Sequence, residues 1–273
     1  MDGYIRLGDI PKHFGLNRGD SVWVASDVKT LLYNCIENGD DTDLNVLIDG
    51  ILDIITEEGT LLIPTFNWDF CKGKAFDIRT SPCRTGSLGK IALKRKDFIR
   101  TRHPIYSFAV WGRDAKKLAE MDNLSSFGGN SPFSYCREVN AKNVFIDVPP
   151  QHSFTFVHYV EQMKGVSYRY LKAFSADYTD ENGITTKRTY SMNVRCLDRD
   201  IFLTIYPFEE LFEKAGASKQ YQVNGISMET IEMGRVYDII ADDVINHDSS
   251  RICTFNGQKE SMAKNSWETL WRK

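Results

Sequence analysis

Asp41-Thr42-Asp43-Leu44-Asn45-Val46-Leu47-Ile48-Asp49-Gly50-Ile51-Leu52-Asp53-Ile54-Ile55-Thr56-Glu57-Glu58-Gly59-Thr60-Leu61-Leu62-Ile63-Pro64 reads as a helix, a turn and a strand in that order. Asp41-Thr42-Asp43 supplies short polar side chains that can cap a helix start. Leu44, Leu47, Ile48, Ile51, Leu52 and Ile55 then fall on one stripe at the helical period. Glu58-Gly59 turns the chain, Thr60-Leu61-Leu62-Ile63 is a short apolar run, and Pro64 ends it. Upstream, Ser21-Val22-Trp23-Val24-Ala25-Ser26 reads as a further strand.

Working outward, the first half keeps alternating. Residues 86–98 and 114–121 have helical patterns, 107–111 reads as a strand, and 143–148 is a strand stopped by Pro149-Pro150. A helix follows at 155–164. The texture then changes. Residues 169–177 and 184–192 are strand-like runs around Asp180-Glu181-Asn182-Gly183, which predicts a hairpin. After a helix at 208–215, Asn224-Gly225 between 221–223 and 226–229 predicts a second hairpin, and 234–245 a closing helix. The tail 256–273 is polar, with Trp267 and Trp271, and reads as a docking helix or a frayed end. The expected fold is α/β: a single domain over 1–273, with a mixed central sheet flanked by helices and a β-hairpin insertion near 165–205.

Composition narrows the function. With 42% hydrophobic and 26% charged residues, collagen-like, low-complexity and wholly disordered chains are excluded. A net charge of −3 leaves no basic footprint for nucleic acid. No apolar run approaches the ~20 residues that cross a bilayer. Met1 to Arg6 lacks a basic-then-apolar leader, so a cytoplasmic protein is expected. The six cysteines are scattered singly without ligand spacing, which predicts structural thiols and no metal. G-x-G-x-x-G, G-x-x-x-x-G-K-[ST], G-x-S-x-G and H-E-x-x-H are all missing, which removes weight from dinucleotide, P-loop, α/β-hydrolase and zincin chemistry.

The sharpest constellation runs from Gln151 to Glu161. His158 and Glu161 are three residues apart on the expected helix and share a face. A carboxylate beside an imidazole fixes its tautomer and steadies its cation, as a general base near neutral pH requires. A surface histidine with an ordinary helix neighbour has the same spacing. His152 is a second polar group in reach, or a plain loop residue. Cys83 to Lys90 is a donor-rich turn entering a helix, suited to a phosphate with Arg84 nearby, or simply capped by Thr85 or Ser87. Arg100, Arg102 and His103 precede a strand and suit an anionic ligand, or belong to a solvated loop. Asn130-Ser131-Pro132 reads as a turn. The loop 65–82 is longer than a connection needs and exposes aromatic and polar groups, which suits binding.

Six segments in order resemble the aminoglycoside 3-N-acetyltransferase family. They are Gly19 to Val28, Gly59 to Thr65, Arg84-Thr85-Gly86, His103-Pro104 through Ser107 to Trp111-Gly112, Gly129-Asn130-Ser131-Pro132, and Thr155 to Glu161. The chain departs from the family pattern at Ala25 and Asp27, where the family reads His and Ser.

The resemblance implies acetyl-CoA as donor, a primary amine as acceptor, direct transfer and no metal. Carried over by position, it makes His158 the base, Glu161 its orienting carboxylate and Thr155 a polar group near the oxyanion. Ser26, Asp27 and Val28, with Arg84, Thr85 and Gly86, would cradle CoA, and Ser107 would line the same channel. For the acceptor, Trp68 offers stacking, Asp69 an amine contact, Arg102 (with Arg100) a diphosphate contact, and His152 a polar one. Those arginines and the modest net charge favour a nucleotide-linked amino sugar for a surface polysaccharide over the alternative, an aminoglycoside antibiotic. A non-catalytic CoA or sugar-nucleotide binding protein is a third reading, and a cysteine hydrolase using Cys83 or Cys136 a fourth. The expected partners are a small-molecule amino sugar and CoA, with no nucleic acid, no membrane, and a homodimer as the assembly to test.

Overall fold

The stripe and cap read in 41–64 are realised in the computed structural model, which describes residues 3–198 and 201–255. Its strands are β1 (Ser21–Ser26), β2 (Thr60–Pro64), β3 (Phe76–Asp77), β4 (Ile99–Arg100), β5 (Phe108–Gly112), β6 (Lys142–Ile146), β7 (Arg169–Thr179), β8 (Thr185–Arg195), β9 (Ile201–Leu203), β10 (Ser218–Val223), β11 (Ile226–Glu232) and β12 (Cys253–Phe255). The helices are α1 (Lys29–Glu37), α2 (Leu44–Ile55), α3 (Ser87–Ala92), α4 (Ala115–Glu120), α5 (Pro132–Glu138), α6 (Pro150–Ser153), α7 (Phe156–Lys164), α8 (Tyr206–Lys214) and α9 (Met233–Asn246). The Asp43 side chain accepts from Asn45 N at 2.9 Å, capping α2. Leu44, Leu47, Ile48, Ile51 and Ile55 are buried and Leu52 packs at the edge.

The main sheet has the order β10-β11-β6-β1-β2-β5-β4. β1 runs parallel to β2 and β6, while β5, β4, β11 and β10 are antiparallel to their neighbours. Parallel strands at the centre are covered on both faces, which explains their continuous apolar runs. Val22 and Val24 share one core with Leu31 of α1, Leu47 of α2 and Leu88 of α3. Trp23 and Ala25 share the other with Phe133 of α5, Tyr159 of α7 and Ile240 of α9. Each of the buried Val, Leu, Ile and Phe side chains among these contributes about 1.5–3 kcal/mol. The connections from β1 leave to β2 on one side and return to β6 on the other, so the carboxyl ends of these strands frame a crevice of the kind that takes ligands in α/β sheets.

β7 and β8 form a long antiparallel hairpin, in register from Arg169↔Arg195 to Thr179↔Thr185. β3 adds to it in parallel, with Phe76 opposite Tyr178, so part of the long loop 65–82 is tied to the hairpin. The hairpin expected near 165–205 is therefore present, as a sheet of its own.

Several elements differ from expectation. The helix expected over 86–98 ends at Ala92, and Ile99–Arg100 pairs with Val110 and Ala109 instead. Asn130-Ser131-Pro132 opens α5: Ser131 Oγ accepts from Ser134 N at 3.4 Å, and Pro132 sits in the first turn, where a missing N–H is harmless. α1 escaped notice because only Leu31 and Cys35 of it are buried, too few for a stripe. The Trp267 and Trp271 segment lies outside the described residues.

Candidate functional site

α7 starts at Phe156, one residue after Thr155, and its i, i+3 geometry brings His158 Nδ1 within 2.8 Å of Glu161 Oε2. Glu161 is fully buried, while 27% of the His158 side chain is exposed. An ionised carboxylate only accepts hydrogen bonds, so Nδ1 carries the proton and Nε2 the lone pair. Phe127 packs edge-on to the imidazole with ring centroids 5.6 Å apart.

A third residue completes the cluster, and nothing in the local pattern announced it. Arg169, the first residue of β7, lies 2.6 Å from Glu161 Oε2 through Nε, and its Nη2 stands 3.0 Å from His158 Nδ1, a charge contact rather than a hydrogen bond once the Nδ1 proton goes to Glu161. Its Nη1 donates to Asn193 O of β8 at 3.1 Å. Burial pushes the Glu161 carboxyl up, but the Arg169 charge and the His158 hydrogen bond outweigh it and hold the group below the ordinary carboxylate range. Burial, and then the Arg169 charge, push the His158 imidazole below its ordinary value, against the pull of Glu161. The ring is therefore neutral and basic at neutral pH.

Two cavities meet beside this cluster. One, of about 110 Å³, is lined by His158, Glu161, Thr155 and His152, with Thr204 and Ile205 opposite. The other, of about 240 Å³, sits at the ends of β1 and β2 and is lined by Trp23, Ala25, Ser26, Trp68, Thr85 and Gly89, among others. His152, Ser153 and Thr155 line both, so the segment before α7 is their common wall. A methyl at Gly89 would stand 2.4 Å from Pro64 O and 2.7 Å from Cys83 Sγ, so only glycine lets α3 pack this close to β2. Thr85 Oγ1 donates to Pro64 O at 2.8 Å, which fixes the Arg84-Thr85-Gly86 turn over the strand end.

The structure thus gathers His158, Glu161, Thr155, His152, Ser26, Thr85 and Trp68 around one pair of cavities. Gly86 lies at their edge, where a methyl would be 3.8 Å from Ser26 O. Asp27 Oδ1 instead accepts from Lys29 N at 3.1 Å, and Val28 is buried as the residue before α1. Arg84 reaches Asp69 at 2.9 Å, and Lys74 stands 3.7 Å from the same carboxylate, so Asp69 already has its cations. These pairs, rather than an acceptor amine, hold the Asp69 carboxyl below its ordinary range.

Ser107 does not line a channel. It is fully buried and bonded to Thr65 Oγ1 at 2.8 Å, and it accepts from Arg100 Nε at 3.1 Å. Arg100 also donates to Ser81 O and Thr65 O. Arg102 is ion-paired with Glu181 at the hairpin turn. The diphosphate cradle expected from these arginines is not formed, because both guanidinium groups are committed to the protein's own acceptors. His103 is buried too. Its Nδ1 accepts from Ile105 N and Tyr106 N, each at 3.2 Å, and burial pushes its pKa down to about 3. All six cysteines are free, and burial pushes the Cys136 thiol far up, which removes the nucleophilic reading from that residue. Among the described residues no group of three or more metal-ligating side chains clusters, and no helix is long and apolar enough to cross a membrane.

The model of the aminoglycoside 3-N-acetyltransferase family matches residues 26–243, and the chain belongs to that family. The SPbeta prophage-derived aminoglycoside N(3')-acetyltransferase-like protein YokD of Bacillus subtilis is 26% identical over 152 residues, covering 46% of this chain and 54% of YokD. The matched stretch thus spans about half the length of this curated relative. The crystal structure of YokD has the same fold, with a TM-score of 0.73 at 19% identity over 92% of this chain and 97% of that one. AAC-IIIb in a binary complex with CoASH gives a TM-score of 0.72 at 16% identity, covering 89% and 97%. AAC-VIa bound to sisomicin gives 0.72 at 16%, covering 90% and 99%.

Proposed function

We propose that the protein is an acetyl-CoA-dependent N-acetyltransferase that acetylates a primary amine of an aminoglycoside-type amino sugar by direct transfer. The observation that carries this reading is the buried His158–Glu161–Arg169 cluster opening on a cavity that shares a wall with a second, largely apolar one. The apolar cavity, with hydroxyls of Ser26 and Thr85 in its lining, suits the pantetheine arm of CoA, and its relative AAC-IIIb was solved with CoASH.

His158 Nε2 takes a proton from the acceptor amine as its nitrogen attacks the thioester carbonyl carbon. Glu161 steadies the imidazolium that forms. Thr155 lines both cavities, and its hydroxyl is the group assigned to donate to the developing oxyanion. Collapse breaks the C–S bond, and the imidazolium proton goes to the departing thiolate. Base assistance of this kind is typically worth about 10²–10⁴-fold.

For the acceptor, the engagement of Arg100 and Arg102 speaks against a nucleotide-linked sugar, and AAC-VIa, a relative in the same fold, was solved with sisomicin. Turnover of acetyl-CoA should be measured against aminoglycosides and nucleotide-linked amino sugars side by side. Acetylation of an aminoglycoside at the higher kcat/KM is expected; preference for the nucleotide-linked sugars would overturn the assignment.

A further inference from the structure

A third cleft, of about 580 Å³, lies behind the Pro149-Pro150 segment, and Pro150 lines both it and the His158 cavity. β11 contributes Glu229, which stands opposite Gln220 on β10 and Phe145 on β6. Glu229 lines the cleft yet is only 5% exposed. Gln220 Nε2 approaches its Oε2 at 3.4 Å, and Oε1 has no hydrogen-bond partner.

The charges around it have one sign. Asp147, after β6, and Glu209, on α8, line the same cleft, and Glu213 of α8 adds to their field. Gln220 and Tyr221 of β10 are polar but uncharged, and among the described residues no lysine or arginine lines the cleft. Burial, reinforced by Glu209, pushes the Glu229 carboxyl up to about 7. Carboxylates this buried are normally paired, because an unpaired buried charge is costly. Elsewhere in this chain the rule holds: Glu161 is just as buried and has Arg169.

We propose that this cleft binds a primary-ammonium ligand, with Glu229 as its principal counter-charge and Glu209 and Asp147 as outer acceptors. An ammonium group offers three donors and a full positive charge, matching the vacant Oε1 and the surrounding carboxylates. Binding here needs no chemistry at His158, and only the acceptor-amine source rests on the proposed function. The ammonium comes either from a remote amine of the acceptor or from a separate polyamine.

The test is calorimetric titration with spermidine at low ionic strength, with octanediol as a neutral comparator. Wild-type protein should bind spermidine and not the diol. Glu229→Gln should weaken binding about tenfold or more, and Glu209→Gln by less. Glu209 is half-buried on α8, so its variant keeps the question open should Glu229→Gln fold poorly. Binding should release a proton and weaken below about pH 7, since the cation favours ionised Glu229. Competition by sisomicin would identify the ammonium as the acceptor's own, and binding alongside sisomicin would identify a separate effector; both keep the site. Equal affinity in wild type and Glu229→Gln, no binding at all, or equal binding of the diol would overturn it.

Discussion

His103 and His158 are both neutral imidazoles held by hydrophobic core, and they differ in how their ring nitrogens are engaged. His103 accepts two backbone N–H bonds at Nδ1, its Nε2 sits 3.3 Å from Ser126 Oγ, and only 1% of the residue is exposed. Both nitrogens are used inside the fold, so it is a fixed, neutral bracket for the turn before β5. His158 has one nitrogen anchored by Glu161, its face against Phe127, and its edge on a cavity. What separates the structural imidazole from the proposed base is the number of ring nitrogens the protein leaves unspent.

The strongest break of that contrast is His158→Ala. It should lower kcat by at least ~10²-fold while CoA affinity holds, read by steady-state kinetics and by titration with CoA. His103→Asn should leave kcat within about twofold, and equal losses from the two substitutions would erase the distinction. Next comes Glu161→Gln, which strands Arg169 in the interior. Unfolding in denaturant should show a stability loss of about 3–5 kcal/mol, and kcat should fall with it.

Arg169→Met tests how the proposed base is tuned. Removing the cation beside Nδ1 raises the imidazole pKa toward its ordinary value, although Arg195 still faces the ring. The acid limb of the kcat profile should therefore move to higher pH; a move to lower pH, or none, refutes the tuning role. The last test concerns acid stability, an effect that grows only gradually with pH. The unfolded His103 takes up its proton near pH 6.5 and the folded one only near 3. The folded ring stays neutral across that window, so stability is full above pH 6.5 and declines as the pH falls, by about 1.4 kcal/mol per pH unit at most. In His103→Asn this one-proton slope should vanish from unfolding curves collected between the two values.

Much of this was legible beforehand. The α2 cap and stripe, the strand ends at Ser26 and Pro64, the Asn224-Gly225 hairpin and the His158–Glu161 spacing all follow from short-range periodicity, which the backbone repeats faithfully. Arg169 was not legible. It stands eight residues past Glu161, across the Gly165 helix end, and only the docking of β7 brings it to the carboxylate. Arg100, Arg102 and Asp69 misled for the complementary reason: their charge was visible in the chain, but the Thr65, Ser107, Glu181 and Arg84 partners that absorb it were not.

The chain by itself therefore determined which residues share a helix face or a strand, because that depends on φ, ψ and spacing alone. Only the tertiary structure decided which ionisable groups are saturated by the protein's own partners and which keep a free atom at a cavity. Desolvation and hydrogen-bond saturation belong to a three-dimensional neighbourhood, and residues far apart in sequence supply it.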